Sequence, residues 1–179
     1  LSALEIKLRT NKICNVEQVS PDKEIPNDKL KNIGMTSFGL SDTESQVVLA
    51  SYVKTSKEDD PVVQGAYGYG DNRKVYHVHV NDGDTSNASD LEMFALMSYE
   101  GYKGRTAPDS INNYSAYKIM KADAGYGMAS ADENSFVNKK VNADYLLEQI
   151  YDSLKKRETE QEAKSFDVCE YLLQMIKNR

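Results

Sequence analysis

Residues 62–81 read VVQGAYGYGDNRKVYHVHVN. The halves Val62 to Gly70 and Arg73 to Asn81 carry the period-two pattern of half-buried strands, and Asp71-Asn72 between them are residue types that tolerate the positive φ of a two-residue turn. The stretch therefore predicts an antiparallel hairpin. If that turn sets the register, Tyr69 faces Lys74, Tyr67 faces Tyr76, Gly65 faces Val78 and Val63 faces Val80, an apolar set suited to the core. The reverse face then pairs Gly68 with Val75, Ala66 with His77 and Gln64 with His79. It is small on one strand and polar on the other, and glycine in a strand often marks close approach of another backbone or a ligand.

Outward from the hairpin, Gly34 to Gly39 and Gln46 to Thr55 read as further strands. Leu4, Ile6 and Leu8 alternate with Glu5, Lys7 and Arg9 as a strand does, over Leu4 to Thr10. Pro21 and Pro26 punctuate an exposed connection. The run Lys57-Glu58-Asp59-Asp60 before Pro61 reads as a solvated loop.

Helical signals dominate the second half. Ser89-Asp90-Leu91-Glu92 is a capping box, with Gly101 as the stop of a helix from Asp90 to Glu100. A second helix is expected from Pro108 to Ala124, with Tyr114, Tyr117, Met120 and Ala124 on one face and Gly125 past its end. Gly125 to Lys140 reads as a loop. From Ala143 onward, Leu147, Ile150, Tyr151 and Leu154 form one apolar stripe, and Phe166, Cys169, Leu172, Leu173 and Ile176 form another. Thr159-Glu160-Gln161-Glu162 offers a second capping box and a break near Glu158. The expected fold is α+β: an antiparallel sheet or meander in the N-terminal half, packed by amphipathic helices from the C-terminal half. Residues 1–179 are read as a single domain, either whole or part of a longer chain.

Composition narrows the partners. The net charge is −6, from 28 acidic and 22 basic side chains with no basic stripe, which argues against nucleic acid as a ligand. No apolar run approaches the length of a membrane span, so no membrane insertion is expected. Cys14 and Cys169 have no metal-ligand spacing and read as buried thiols or one long-range bridge. Asn87-Ala88-Ser89 and Asn113-Tyr114-Ser115 are glycosylation sequons.

Motifs with chemical content are few. Asp82-Gly83-Asp84-Thr85-Ser86-Asn87 begins like a calcium loop, but Asn87 stands where the turn glycine belongs and Met93 where the bidentate glutamate belongs. Ser115 and Lys118 satisfy the S-x-x-K pattern of serine acyl enzymes, yet Ser153 and Lys156 satisfy it equally, and the companion motifs are missing. The sharpest signal is the clustering of both histidines, His77 and His79, on one strand face, with Asp82 and Asp84 following. These four residues are the candidate metal ligands, for a divalent ion, with no other cofactor expected.

Two functional readings follow. The leading one is a non-catalytic interaction or structural module, because fold signals are strong and chemical ones weak. Its twelve tyrosines suit contacts with protein or glycan. The alternative is a metal-binding protein or metal-dependent hydrolase centred on His77 and His79.

Overall fold

The computed structural model describes residues 15–41, 43–127, 130–156 and 160–179. Its architecture is α+β, with one antiparallel sheet from the N-terminal half and helices from the C-terminal half packed against it. The strands are β1 (Val16–Val19), β2 (Leu30–Phe38), β3 (Gln46–Val53), β4 (Val62–Tyr67) and β5 (Lys74–His79), arranged β1-β5-β4-β3-β2. β2 to β5 form a meander, and β1 adds to the free edge of β5 with Val16 opposite Val78 and Val19 opposite Val75.

The hairpin forms as expected, with a different turn. Gly65 pairs with Tyr76, Val63 with Val78, Gln64 with His77 and Val62 with His79, a register two residues away from that of a two-residue turn. Gly68 and Gly70 both adopt positive φ, and Gly70–Asn72 is a single 3-10 turn, so the connection is longer than Asp71-Asn72 alone. A slip of two preserves the faces. Tyr67, Tyr76, Val63 and Val78 still point into the main core.

Because β1 and β2 occupy opposite edges and the helices cover one face, residues 20–29 cross the other face. The Ile25 amide donates to Gln64 Oε1 at 3.0 Å, Arg73 grips Glu24 through Nε at 3.2 Å and through a second, shorter bond, and the Lys54 amide donates to the Lys29 carbonyl at 3.0 Å. The crossing chain is what approaches the reverse face. Beside it, Val19, Ala66 and Val75 form a small second apolar cluster.

Helix α1 (Asp90–Tyr102) starts with the expected capping box, the Glu92 amide donating to Ser89 Oγ at 3.3 Å and the Ser89 amide to Glu92 Oε2 at 2.6 Å. It continues through Gly101; the left-handed residue that follows it is Gly104. Helix α2 (Asn113–Asp123) starts at Asn113 and not at Pro108, because Asn112 Oδ1 accepts from the Ser115 amide at 2.7 Å and the Pro108-Asp109 pair forms a turn with Asp109 at φ 55°. Tyr114, Tyr117 and Met120 are buried, and Ala124 is exposed just past the helix, before the expected left-handed Gly125.

The stretch expected to be loop from Gly125 to Lys140 holds a short helix, α3 (Glu133–Val137). Asp132 caps it and Phe136 anchors it, stacking on Phe38 with ring centroids 5.2 Å apart. Helices α4 (Ala143–Lys155) and α5 (Glu160–Lys177) bury Leu147, Ile150, Cys169, Leu172, Leu173 and Ile176 of the two predicted stripes, and half-buried Tyr151 meets half-buried Phe166 at 4.7 Å between centroids. Cys169 is a buried thiol donating to the Leu147 carbonyl at 3.3 Å, and burial pushes its pKa up to about 12. Among the described residues no helix is long and apolar enough to cross a membrane. The expected strand at Leu4 to Thr10, Cys14, and the break at Glu158 with Thr159 lie outside the described residues.

Leu147 and Leu172 are both fully buried on the α4–α5 pair. Replacing either by Ala should cost about 2–5 kcal/mol, while Tyr145→Ala, at an exposed position of α4, should cost little. Urea unfolding checks this, and an unchanged midpoint for both leucine variants would remove α4 and α5 from the core.

Candidate functional site

Alternation along β5 sends Tyr76 and Val78 to the core and His77 and His79 to the opposite face, as the pattern predicts. The two histidines have different partners. Gln64 Oε1 accepts from the Ile25 amide and lies 3.0 Å from His77 Nε2. A backbone N–H can only donate, so the Gln64 atom facing it is the oxygen, and His77 Nε2 must carry the proton it shares with that oxygen. Only Nδ1 of His77 keeps a lone pair for a ligand.

His79 closes β5 and turns to a carboxylate. Its Nδ1 lies 2.9 and 3.1 Å from the two oxygens of Asp60. The loop carrying Asp60 is held by Val80, whose amide donates to the Pro61 carbonyl at 3.1 Å, and by Asn81, whose Nδ2 donates to the Asp59 carbonyl at 3.0 Å. Val80–Asp82 forms a 3-10 turn, in which residues three apart eclipse, so Asp82 comes round to the side of His79. Asp60, His79 and Asp82 each present a ligand atom within 4.8 Å of the others. Asp84 is engaged elsewhere, accepting at Oδ1 from the Ser86 amide at 3.1 Å and from the Ser86 hydroxyl.

Of the four sequence candidates, the structure thus brings together His79 and Asp82, and it adds Asp60 from the run expected to be only a solvated loop. The signal for Asp60 was register: once Val62 faces His79, Asp60 falls beside the end of β5.

A second feature lies at the outer edge of β2, unpaired among the described residues. A groove of about 240 Å3 runs between residues 32–35 of that strand and the α1–α2 region, lined by Phe94, Met97, Tyr114 and Ile111. Ile111 is 96% exposed. Beside it on the open face, Met35 is 67% exposed and pairs with Leu49.

The remaining motifs resolve into structure. Ser115 and Lys118 are not bonded to each other; Lys118 Nζ donates to Thr36 Oγ1 at 3.2 Å and sits over the Tyr114 ring. Asp90 accepts from Lys121 at 3.0 Å and from Ser130, forming a mostly buried network at the start of α1. Asn113 is fully buried, its amide oxygen accepting from Ala107 and its nitrogen donating to Arg105, so this sequon is closed to a glycan, whereas Asn87 is exposed.

No family model, curated protein or solved structure matches this chain.

Burial lowers the pKa of His77 below its ordinary 6.5, against a smaller pull upward from Glu17. As pH falls below 6.5 the unfolded chain takes up this proton before the folded one does, so stability declines until the folded pKa is reached. His77→Gln should flatten the loss of urea stability between about pH 7 and pH 5. Retention of the full wild-type slope would assign the proton uptake to other groups.

Proposed function

We propose that this chain is a non-catalytic binding module that receives an extended segment of a protein partner along the edge of β2. One observation carries the reading: a nine-residue strand at the edge of the sheet, its outer side unpaired among the described residues, beside a groove of mixed polar and apolar lining. An unpaired edge offers a row of backbone donors and acceptors, and a neighbouring groove supplies side-chain selection, which is how sheets recognise peptides by strand addition. The bulge between Asn32 and Gly34 interrupts the edge at one end, where the Gly34 amide donates to Asn32 Oδ1 at 3.2 Å, leaving Met35 to Ser37 for pairing. The exposed Met35 and Ile111 flank that stretch.

Selection from a displayed library of random peptides tests this. Enriched sequences should alternate apolar and polar residues, and Ile111→Asp and Met35→Lys should each weaken their binding by about tenfold or more, since both place a charge beside a desolvating contact. Both side chains are exposed, so the fold tolerates the changes. Peptides that bind both variants as well as the parent would place recognition elsewhere.

The convergence of Asp60, His79 and Asp82 favours a second reading, a divalent-metal site at the end of β5. One imidazole and two carboxylates suit zinc or manganese, with the remaining positions taken by water or a ligand. Calorimetric titration of chelator-treated protein with zinc should show one saturable site that Asp60→Asn and His79→Ala abolish and Asp84→Asn leaves intact. Equal binding by all of these proteins would end this reading.

A further inference from the structure

On the other side of the C-terminal end of α1 lies a cleft of about 710 Å3, within the range of small-molecule sites. Its polar lining comes from three separate parts of the chain. Tyr99 and Glu100 belong to α1 and Arg105 to the turn after it, Tyr171 and Arg179 come from α5 and its extension, and Asn81 follows β5.

We propose that this cleft binds a small organic anion, a phosphate or carboxylate on a planar body, with the acid group taken by Arg105 and Arg179 and the body laid against Tyr99 and Tyr171. Arg105 spends its Nε on Glu100, and its side chain, half exposed as a whole, lines the cleft. Arg179 reaches back over Gly83 and donates to the Val80 carbonyl. Among the described residues no carboxylate stands within ion-pair distance of Arg179, although Glu100 and, more weakly, Asp144 act on it from further away.

Arg179 is exposed as a residue, its guanidinium held at one nitrogen by the Val80 carbonyl, so its remaining N–H donors can serve a ligand of matching geometry. A guanidinium fork matches the paired oxygens of phosphate and carboxylate. Two arginines and one glutamate line the cleft, with Asp144 acting on Arg179 from further away, on a chain whose net charge is −6. The tyrosine rings add apolar area on which a planar group can lie.

Phenyl phosphate, benzoate, inorganic phosphate and benzyl alcohol serve as probes in calorimetric titration of the full chain. Phenyl phosphate or benzoate should bind saturably and benzyl alcohol should not; the tighter of the two anions identifies the acid group. Arg105→Gln and Arg179→Gln should each weaken that binding by about tenfold, and Tyr171→Leu should weaken phenyl phosphate more than inorganic phosphate. Because Arg179→Gln also removes the bond to Val80, the half-exposed Arg105 carries the decision. Absence of saturable binding by both aromatic anions, unchanged affinity in Arg105→Gln, or equal binding of benzyl alcohol would overturn the assignment.

Discussion

Helix α1 has no face for solvent along most of its length: from Leu91 to Ser98 every residue is buried, because the helix lies between the sheet and the other helices. Such a helix can come close to a sheet only where the strands lack side chains. Gly65 and Gly34 supply those places. A Cβ on Gly65 would come within 2.9 Å of Leu91, and one on Gly34 would collide with the Ser98 hydroxyl. The two glycines lie on β4 and β2, so together they set the height of α1 over the sheet. The groove beside β2 and the cleft at the end of α1 both inherit their shape from that seat.

Burying a helix on all sides also buries its acidic residues, and Asp90, Glu92 and Glu100 are each paired. Glu92 serves the capping box and pairs with Lys140, which draws the segment before α4 against the helix start. Ala88 and Val141 form a short bridge there, with amides donating at 3.0 and 2.9 Å. Asp90 takes Lys121 from α2. Glu100 takes Arg105 at the other end. Leaving such groups unpaired would cost about 1–3 kcal/mol each, more for a charge, so the same pairs that satisfy α1 also position α2, the α4 entry and the turn after α1.

The faces of the hairpin were legible in the sequence because alternation is insensitive to a slip of two residues. The register was not, because the turn chemistry of Gly68 and Gly70 competes with that of Asp71-Asn72, and only the folded chain shows that both glycines take positive φ. That one ambiguity hid Asp60, whose place beside His79 depends on register and not on composition. The α4 and α5 stripes were read correctly, since an apolar period near 3.6 sustained over several turns is hard to mistake. Helix α3 escaped because it is a single short turn anchored by Phe136, too brief for periodicity to register. The start of α2 was misplaced because proline in a first turn and asparagine at a cap are both valid start signals, and the bond from Asn112 to the Ser115 amide decided between them.

The two histidines illustrate how one strand face can divide its work. Both occupy equivalent positions of the pleat, yet His77 lies under the crossing segment and His79 lies past it. Gln64 carries the difference. Its oxygen accepts from Ile25 on the crossing chain and from His77 on the neighbouring strand, so a single buried amide binds three segments together. Protonating His77 would bring a charge under that cover that Glu17 offsets only in part, and burial accordingly lowers its pKa. His79 lies beyond the cover, beside the carboxylates of Asp60 and Asp82. Clustering in the sequence therefore identified the strand face with polar chemistry, while the crossing segment 20–29 and the Asp60 loop give its two histidines different partners.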